Sequence, residues 1–368
     1  MSVQTIPEQR ASVPIRQVSG LLDVRDKSAF IRLDHLPGPD DVRLPPERVR
    51  QYDLRPGDRV TASFAGNKLV DVESVNGATR WRDRPQFGDL TPVHPTERLN
   101  IETESLSTRV IDLFAPIGKG QRGLIVAPPK AGKTMVLQAL AAGITRNHPE
   151  VHLMVVLIGE RPEEVTDMRA SIQGEIFSST FDYPDRDHTA IAELAIERAK
   201  RLVEGGQDVV LLLDSLTRLG RAYNNVAPGG GKTLTGGMDA RALYPPKRFF
   251  GAARNVEGGG SLTILATALV DTGSRMDNNL YEEFKGTGNM EVHLTRELAE
   301  RRLFPAVDLD ASGTRREEIL LHTDEREVVW RLRRMLTSLE KRQGLEMLVD
   351  RLRATPSNAA FLLEASAA

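Results

Sequence analysis

The feature that most constrains this chain is a series of unbroken apolar runs in its second part. GLIVAP, HLMVVLI, DVVLLLD and SLTILATALV each fill a strand's length without polar alternation. Strands that read this way are buried on both faces, which requires a parallel sheet covered by helices. The covering elements lie between them, in KTMVLQALAAGITR and AIAELAIERAKRLVE, where apolar residues recur three and four apart. The expectation is an α/β domain over residues 106–368, with C-terminal helices across 325–353. Residues 18–78 read differently. Short runs (SGLLDV, AFIRL, DVRL, DRVTASF, LVDVESV) are separated by the turn signals PGPDD, RPGD and AGN. That spacing predicts a small β-barrel. Residues 1–17 are polar and aperiodic and read as a mobile tail. Residues 79–105 are Pro-rich and read as a connector.

Composition narrows the function classes. With 368 residues, 40 % hydrophobic and 27 % charged, the chain suits a soluble protein of two or more domains. No apolar run approaches the ~20 residues of a membrane span. The N-terminus lacks the apolar centre of a secretory signal. There is no cysteine, which excludes disulfides, thiolate metal sites and a cysteine nucleophile, and fits the cytoplasm. The seven histidines show no ligand spacing, so no transition-metal site is expected. Net charge is −2, so any nucleic-acid binding must come from local patches.

Between the first apolar run and the first helix stands VAPPKAGKTM, Val126 to Met135. It ends as a phosphate-binding loop does, in Gly132-Lys133-Thr134, but Ala127 occupies the place of the opening glycine. Pro128 and Pro129 have no N–H to offer. The strand–loop–helix setting supports the reading. Backbone N–H groups converge on phosphate at a helix N-terminus. Lys133 would reach the β- and γ-phosphates, and the Thr134 hydroxyl would ligate Mg²⁺. DVVLLLD places Asp214 at the carboxyl end of a strand, where sheets of this class bind ligands, to hold Mg²⁺ through water. HLMVVLIGER brings Glu160 to the same edge, to polarise an attacking water. Because PEEV follows, Glu160 also reads as an N-cap acid. ATP and Mg²⁺ are the expected cofactors.

The segments VAPPKAGKT, IGERPEEVTDM, LLLDSLTRLGRAYN, KTLTGGMDA, PKRFFGAARN, EEFKGTGNMEVHL and FPAVDLDASGTRREE together resemble the Rho family of bacterial transcription termination factors, from about residue 88 to about residue 350. Residues 18–78 resemble that family's RNA-binding barrel more loosely, through AFIRL and GPDDV. The resemblance implies a RecA-like P-loop NTPase domain behind a small OB-fold, cold-shock-like barrel. It implies a homohexamer that hydrolyses ATP when RNA is bound, translocates 5′→3′ along single-stranded RNA as a helicase, and terminates transcription at the RNA polymerase elongation complex. It assigns ATP contacts to Pro129, Lys130, Ala131, Gly132, Lys133, Thr134 and Met135. Phe304 would pack on adenine, with Arg302 beside it. Glu160 matches the catalytic glutamate and Asp214 the Mg²⁺ aspartate. Arg161 and Arg218 match arginines near the γ-phosphate and subunit interface. Arg315 matches a finger donated by the neighbouring subunit. Without the resemblance, each arginine reads as a surface ion pair. Lys232 and Thr235, in Gly231–Gly237, and Lys285, Gly286 and Thr287, in Lys285–Asn289, resemble RNA-gripping loops of a central channel. Glycine lets backbone approach a phosphate and lysine supplies a point charge. By themselves both are ordinary flexible turns.

Two departures stand out. Family members begin with a helical bundle, where only the tail of about 17 residues precedes the barrel. The family's Gly-aromatic-Gly-aromatic strand is Lys27-Ser28-Ala29-Phe30-Ile31-Arg32, with Ser28 in place of one aromatic, and Arg43 stands where another is common. Phe30 survives as the one aromatic, and weaker RNA capture is expected, with Arg32, Arg43 and Arg80-Trp81-Arg82 compensating through stacking or charge. Phe30 reads equally well as core. Competing readings are a regulatory RNA-binding oligomer without termination activity, and a protein motor like ATP synthase subunits with no RNA role.

Overall fold

The first unit is built on the alternation of its strands. In the computed structural model, which describes residues 14–25, 28–228 and 233–367, they are β1 (Ile15–Arg25), β2 (Ser28–Arg32), β3 (Val42–Leu44), β4 (Arg59–Ala65) and β5 (Lys68–Val75). Every other residue of β4, namely Val60, Ala62 and Phe64, points into the core with Leu22, Ile31 and Leu44. The strands pair antiparallel in the order β3-β2-β1-β4-β5. That is the order of an OB-type barrel opened between its third and fifth strands. A short helix, α1 (Pro46–Gln51), joins β3 to β4. It buries no residue, so no amphipathic pattern announced it.

β1 begins earlier than the sequence suggested. Ile15, Arg16 and Gln17 pair with Ala65, Phe64 and Ser63. All three are exposed, which is why they lack the alternation that marks the rest of the strand. The remainder of the expected tail, residues 1–13, lies outside the described residues. At the other end the unit runs to Arg84. The Trp81 indole N–H donates to the Tyr52 carbonyl at 2.7 Å, and Arg84 pairs with the fully buried Asp58 at 2.7 Å.

The second unit spans residues 85–368. Its main sheet contains β6 (Arg122–Ala127), β7 (His152–Glu160), β8 (Glu175–Thr180), β9 (Asp208–Asp214), β10 (Ser261–Leu269), β11 (Met290–Leu294) and β12 (Val307–Thr314). The order is β8-β7-β9-β10-β6-β11-β12, parallel except at β11–β12. Each apolar run identified in the sequence is a strand of this sheet. Among the described residues the helices of this unit are α2 (Leu106–Phe114), α3 (Lys133–Asn147), α4 (Pro162–Ser171), α5 (Asp185–Glu204), α6 (Leu216–Val226), α7 (Tyr244–Phe250), α8 (Arg275–Lys285), α9 (Arg296–Glu300), α10 (Thr323–Thr337), α11 (Lys341–Ala354) and α12 (Asn358–Ala367).

The stretch expected as a connector is divided. Residues 79–84 belong to the first unit, and 85–105 to the second. Phe87, Leu99 and Ile101 are buried there, and Leu99 and Ile101 join the core beneath β6 and α3. A buried side chain of this size contributes roughly 1.5–3 kcal/mol, which is too much for a free linker. Prolines had masked the pattern. The C-terminal helices share the same core through Leu332, Leu345, Leu348 and Phe361. No described helix is long and apolar enough to cross a membrane.

Candidate functional site

β6 delivers the chain to the loop Pro128–Gly132 at the carboxyl edge of the sheet, and α3 starts at Lys133. Lys130 and Gly132 both take left-handed backbone angles, φ 68° and 96°. A positive φ costs a lysine roughly 1–2 kcal/mol; such strain collects at ligand-binding turns. The reversals bring the chain sharply to the helix, whose first-turn N–H groups have no intrahelical partner and face outward. The donor-free prolines sit earlier in the turn.

Lys133, Glu160 and Asp214 meet at this edge. Glu160 ends β7 and Asp214 ends β9, adjacent parallel strands in which Leu157 pairs with Asp214. Lys133 Nζ donates to Glu160 Oε1 at 2.9 Å and to Asp214 Oδ1. Both carboxylates are buried, at 4 % and 1 % exposure. Burial works against the charge on Lys133, but Asp214 and Glu160 outweigh it and hold the ammonium pKa above its usual value. Thr267, on the intervening strand β10, donates to Asp214 Oδ1 at 2.9 Å. The sequence reading missed Thr267, although its position near the end of SLTILATALV was a signal.

Glu160 is not an N-cap. Arg161 occupies that position and Pro162 opens α4. Gly159, at φ 65°, allows Arg218 to cross the strand end, because a Cβ there would lie 3.3 Å from the Arg218 Cδ and Nη1 atoms. Arg218 Nη2 lies 3.5 Å from Glu160 Oε2. His188, in the first turn of α5, shares a 2.7 Å hydrogen bond with Ser179 and also faces Gly159. Burial lowers its pKa, against the pull of Asp185 and Asp187. Arg161 is exposed and pairs with Glu164 at 3.5 Å.

Phe304 lies against the loop, with its ring edge 3.6 Å from where a Gly132 Cβ would stand. Beside it a cleft of ≈ 420 Å³ is lined by Pro129, Lys130, Arg296, Ala299, Glu300 and Arg302. Ala131 is buried, Thr134 half-buried and Met135 exposed.

Arg315 stands elsewhere. It follows Thr314, which pairs with Met290, which pairs with Gly123 at the entrance of β6. Lys133 follows the exit of β6 at Ala127. At about 3.3 Å per residue those ends lie roughly 13 Å apart, so Arg315 is at the opposite edge of the sheet from its own chain's phosphate loop.

The two expected RNA loops are joined by α8. The Thr235–Gly237 turn, between Thr233–Leu234 and Met238–Asp239, packs on the start of α8 at Arg275 and Met276. Lys285 is the last residue of α8, followed by Gly286 and Thr287, and its ammonium lies 5.7 Å from the Tyr281 ring centre. Lys232 lies outside the described residues, as does Lys27.

On the barrel, Ala29 and Ile31 face the core, so Phe30 faces outward and is half-buried. It is not a core residue. Its register neighbours are Asp23 and the exposed Arg43. Arg32 was expected as a free electrostatic contact, but it is 6 % exposed. Its guanidinium pairs with Asp23 at 2.6 Å and Asp41 at 2.6 Å and lies 4.7 Å from the Phe30 ring centre. The buried carboxylates draw it in, where it supports the ring. Trp81 is likewise held against the barrel core.

Residues 107–314 match the nucleotide-binding domain of the ATP synthase alpha/beta family, and residues 18–80 match the RNA-binding domain of Rho termination factors. A transcription termination factor Rho from Streptosporangium roseum is 73 % identical over 351 residues, covering 95 % of this chain and 92 % of that protein. One from Streptomyces lividans is 61 % identical over 94 % of this chain, which spans only 51 % of that longer protein. Among solved structures, a prototypical ATPase of the type III secretion system of pathogenic bacteria superposes with a TM-score of 0.65 over 81 % of this chain and 93 % of its own, at 20 % identity. The assembled ATPase EscN of enteropathogenic E. coli gives 0.60 over 77 % and 68 % at 21 %. Those likenesses concern the fold.

Proposed function

We propose, from the premise that this chain belongs to the Rho family of transcription termination factors, that it is an RNA-stimulated ATP hydrolase and 5′→3′ RNA helicase that ends transcription as a homohexamer. The observation that carries this reading is the gathering of Lys133, Glu160 and Asp214 at one sheet edge with Arg315 at the other. The first supplies an ATP site. The second supplies a group able to act only on a neighbour's ATP, which makes hydrolysis depend on assembly.

Within the site, the first-turn N–H groups of α3 and the Lys133 ammonium hold the β- and γ-phosphates. Glu160 accepts a hydrogen bond from the attacking water and orients it toward the γ-phosphorus. Arg218 and Arg161 stand near it as positive partners for the developing charge. Phe304 and the adjoining cleft, with Arg302 on its wall, receive the base. Thr134 and Asp214 offer a hydroxyl and a carboxylate at the phosphate end. Among the described residues no group of three or more His, Cys, Asp or Glu is placed to hold a metal ion by itself. This donor set fits Mg²⁺, which usually takes few protein oxygens and completes its shell with phosphate and water. The ion would neutralise phosphate charge as the bond to the γ-phosphate breaks.

For RNA, Phe30 provides the stacking surface and Arg43 the adjacent charge. Lys232, Thr235, Lys285, Gly286 and Thr287 grip the strand in the channel. The site of action is the cytoplasm, and the RNA polymerase elongation complex is the partner. Reconstituted termination on a long unstructured transcript, with ATP hydrolysis measured alongside, tests the reading. Equal hydrolysis with and without every RNA tried would sink it. Ser28 and the exposed Arg43 favour a second reading, a regulatory RNA-binding oligomer. RNA-stimulated hydrolysis without transcript release would select that alternative.

A further inference from the structure

The channel loop that begins at Lys285 closes on Asn289, and this residue is bonded to two other segments. Its backbone N–H donates to the Arg122 carbonyl at 2.9 Å, and its side-chain Oδ1 accepts from the Arg122 N–H at 2.9 Å. Gln121 Nε2 reaches the same Oδ1 at 2.6 Å and the Asn289 carbonyl at 3.1 Å. That carbonyl also accepts the backbone N–H of Arg315 at 2.9 Å. Two residues earlier in the loop, the Thr287 carbonyl accepts from the Arg122 guanidinium at 3.0 Å, and the same guanidinium donates to the Ala253 carbonyl at 3.0 Å.

Arg122 opens β6, and β6 ends at the phosphate loop. A displacement of the loop at Lys285–Thr287 must therefore move Arg315 and the start of β6 with it, or break several bonds at a half-buried position. A hydrogen-bonded strand is stiff enough to carry such a displacement, which is what coupling between distant sites requires.

We infer that Asn289 is a positioning residue joining RNA held at Lys285–Thr287 to Arg315, and so to the ATP bound by the next subunit. The inference rests on the proposed roles of Arg315 and of the channel loop. Its chemistry is specific: the side-chain oxygen acts only as an acceptor, a role that aspartate keeps and alanine loses.

The test measures ATP hydrolysis by the assembled full chain with and without polycytidylate, and reads the ratio. Asn289→Ala should lower that ratio by about tenfold, within the usual range for coupled sites, with little change in the RNA concentration giving half-maximal stimulation. Asn289→Asp should restore the ratio. A merely structural role would instead lower assembly and RNA affinity together and would not be rescued selectively. If Asn289→Ala does not assemble, Gln121→Ala removes the side-chain donor to both Asn289 oxygens and is read the same way. Wild-type stimulation in these variants, with stimulation lost in Arg315→Ala, overturns this inference alone. Full stimulation in Arg315→Ala overturns the underlying reading of the finger.

Discussion

At the phosphate loop, Lys133, Glu160 and Asp214 come from three separate elements and meet within hydrogen-bond reach in a buried setting. On the barrel face, Phe30 and Arg43 come from neighbouring strands and meet by register, at an outer surface. The first arrangement is closed, since removing one member strands a buried charge, which is strongly destabilising. The second is open. Its outward residues contribute little to the core, so substitutions such as serine at position 28 change what the face binds without refolding it. The ATP half is therefore constrained as a unit, and the RNA half is adjustable residue by residue.

The largest effects are expected in the closed half. Arg315→Ala should lower RNA-stimulated turnover by about 10³–10⁵-fold, the usual loss for a finger arginine. Glu160→Gln should lower it by about 10²–10⁴-fold while sparing ATP binding, as for a lost general base. Co-assembly of these two variants should recover part of the activity, because some interfaces then pair an intact Glu160 with an intact Arg315. No recovery in mixed rings would break the assignment of these groups to opposite sides of an interface.

In the open half the changes are smaller. Phe30→Ala should weaken RNA binding by one stacked base, roughly 1–3 kcal/mol, measured by filter binding at fixed salt, with the melting temperature little altered. A large fall in stability would show that the ring belongs to the core after all. Ser28→Phe lies two residues away on the same face and should strengthen binding by about 1 kcal/mol, the low end for a stacked base. No gain would mean that the exposed Arg43 has replaced the missing surface.

The smallest effect concerns His188. Burial depresses its pKa, so the folded state stays neutral while the unfolded chain takes up a proton. Its contribution to stability is unfavourable on the acid side and is lost as pH rises above the unfolded value of about 6.5. The melting temperature should thus fall more steeply below that pH in the wild type than in His188→Asn. Identical profiles would show that Asp185, Asp187 and Asp182 compensate for the burial.

Much of this was legible because parallel strands buried on both faces leave unbroken apolar runs, and a loop between such a strand and a helix has few uses. Glu160 and Asp214 could be named from their positions at strand ends, and Lys133 from its place where the loop enters a helix. Other features left no local signal. Phe87, Leu99 and Ile101 sit among prolines, and their burial depends on a core assembled from distant segments. Thr267 and His188 are unremarkable until β10 and α5 bring them beside Asp214 and Gly159. The exposed start of β1 shows only in its pairing.

The sequence by itself determined the class of sheet, the phosphate loop and the acids that face it, because periodicity and strand-end position are local properties, and its motifs carried the resemblance to the family. Only the tertiary structure decided that Arg32 is drawn inward beneath Phe30, that Arg315 lies at the far edge from its own Lys133, and that Asn289 ties the loop after Lys285 to both Arg122 and Arg315. Those are facts of register and burial between residues far apart in the chain, where the balance of charge, packing and hydrogen bonding is settled only once the strands are side by side.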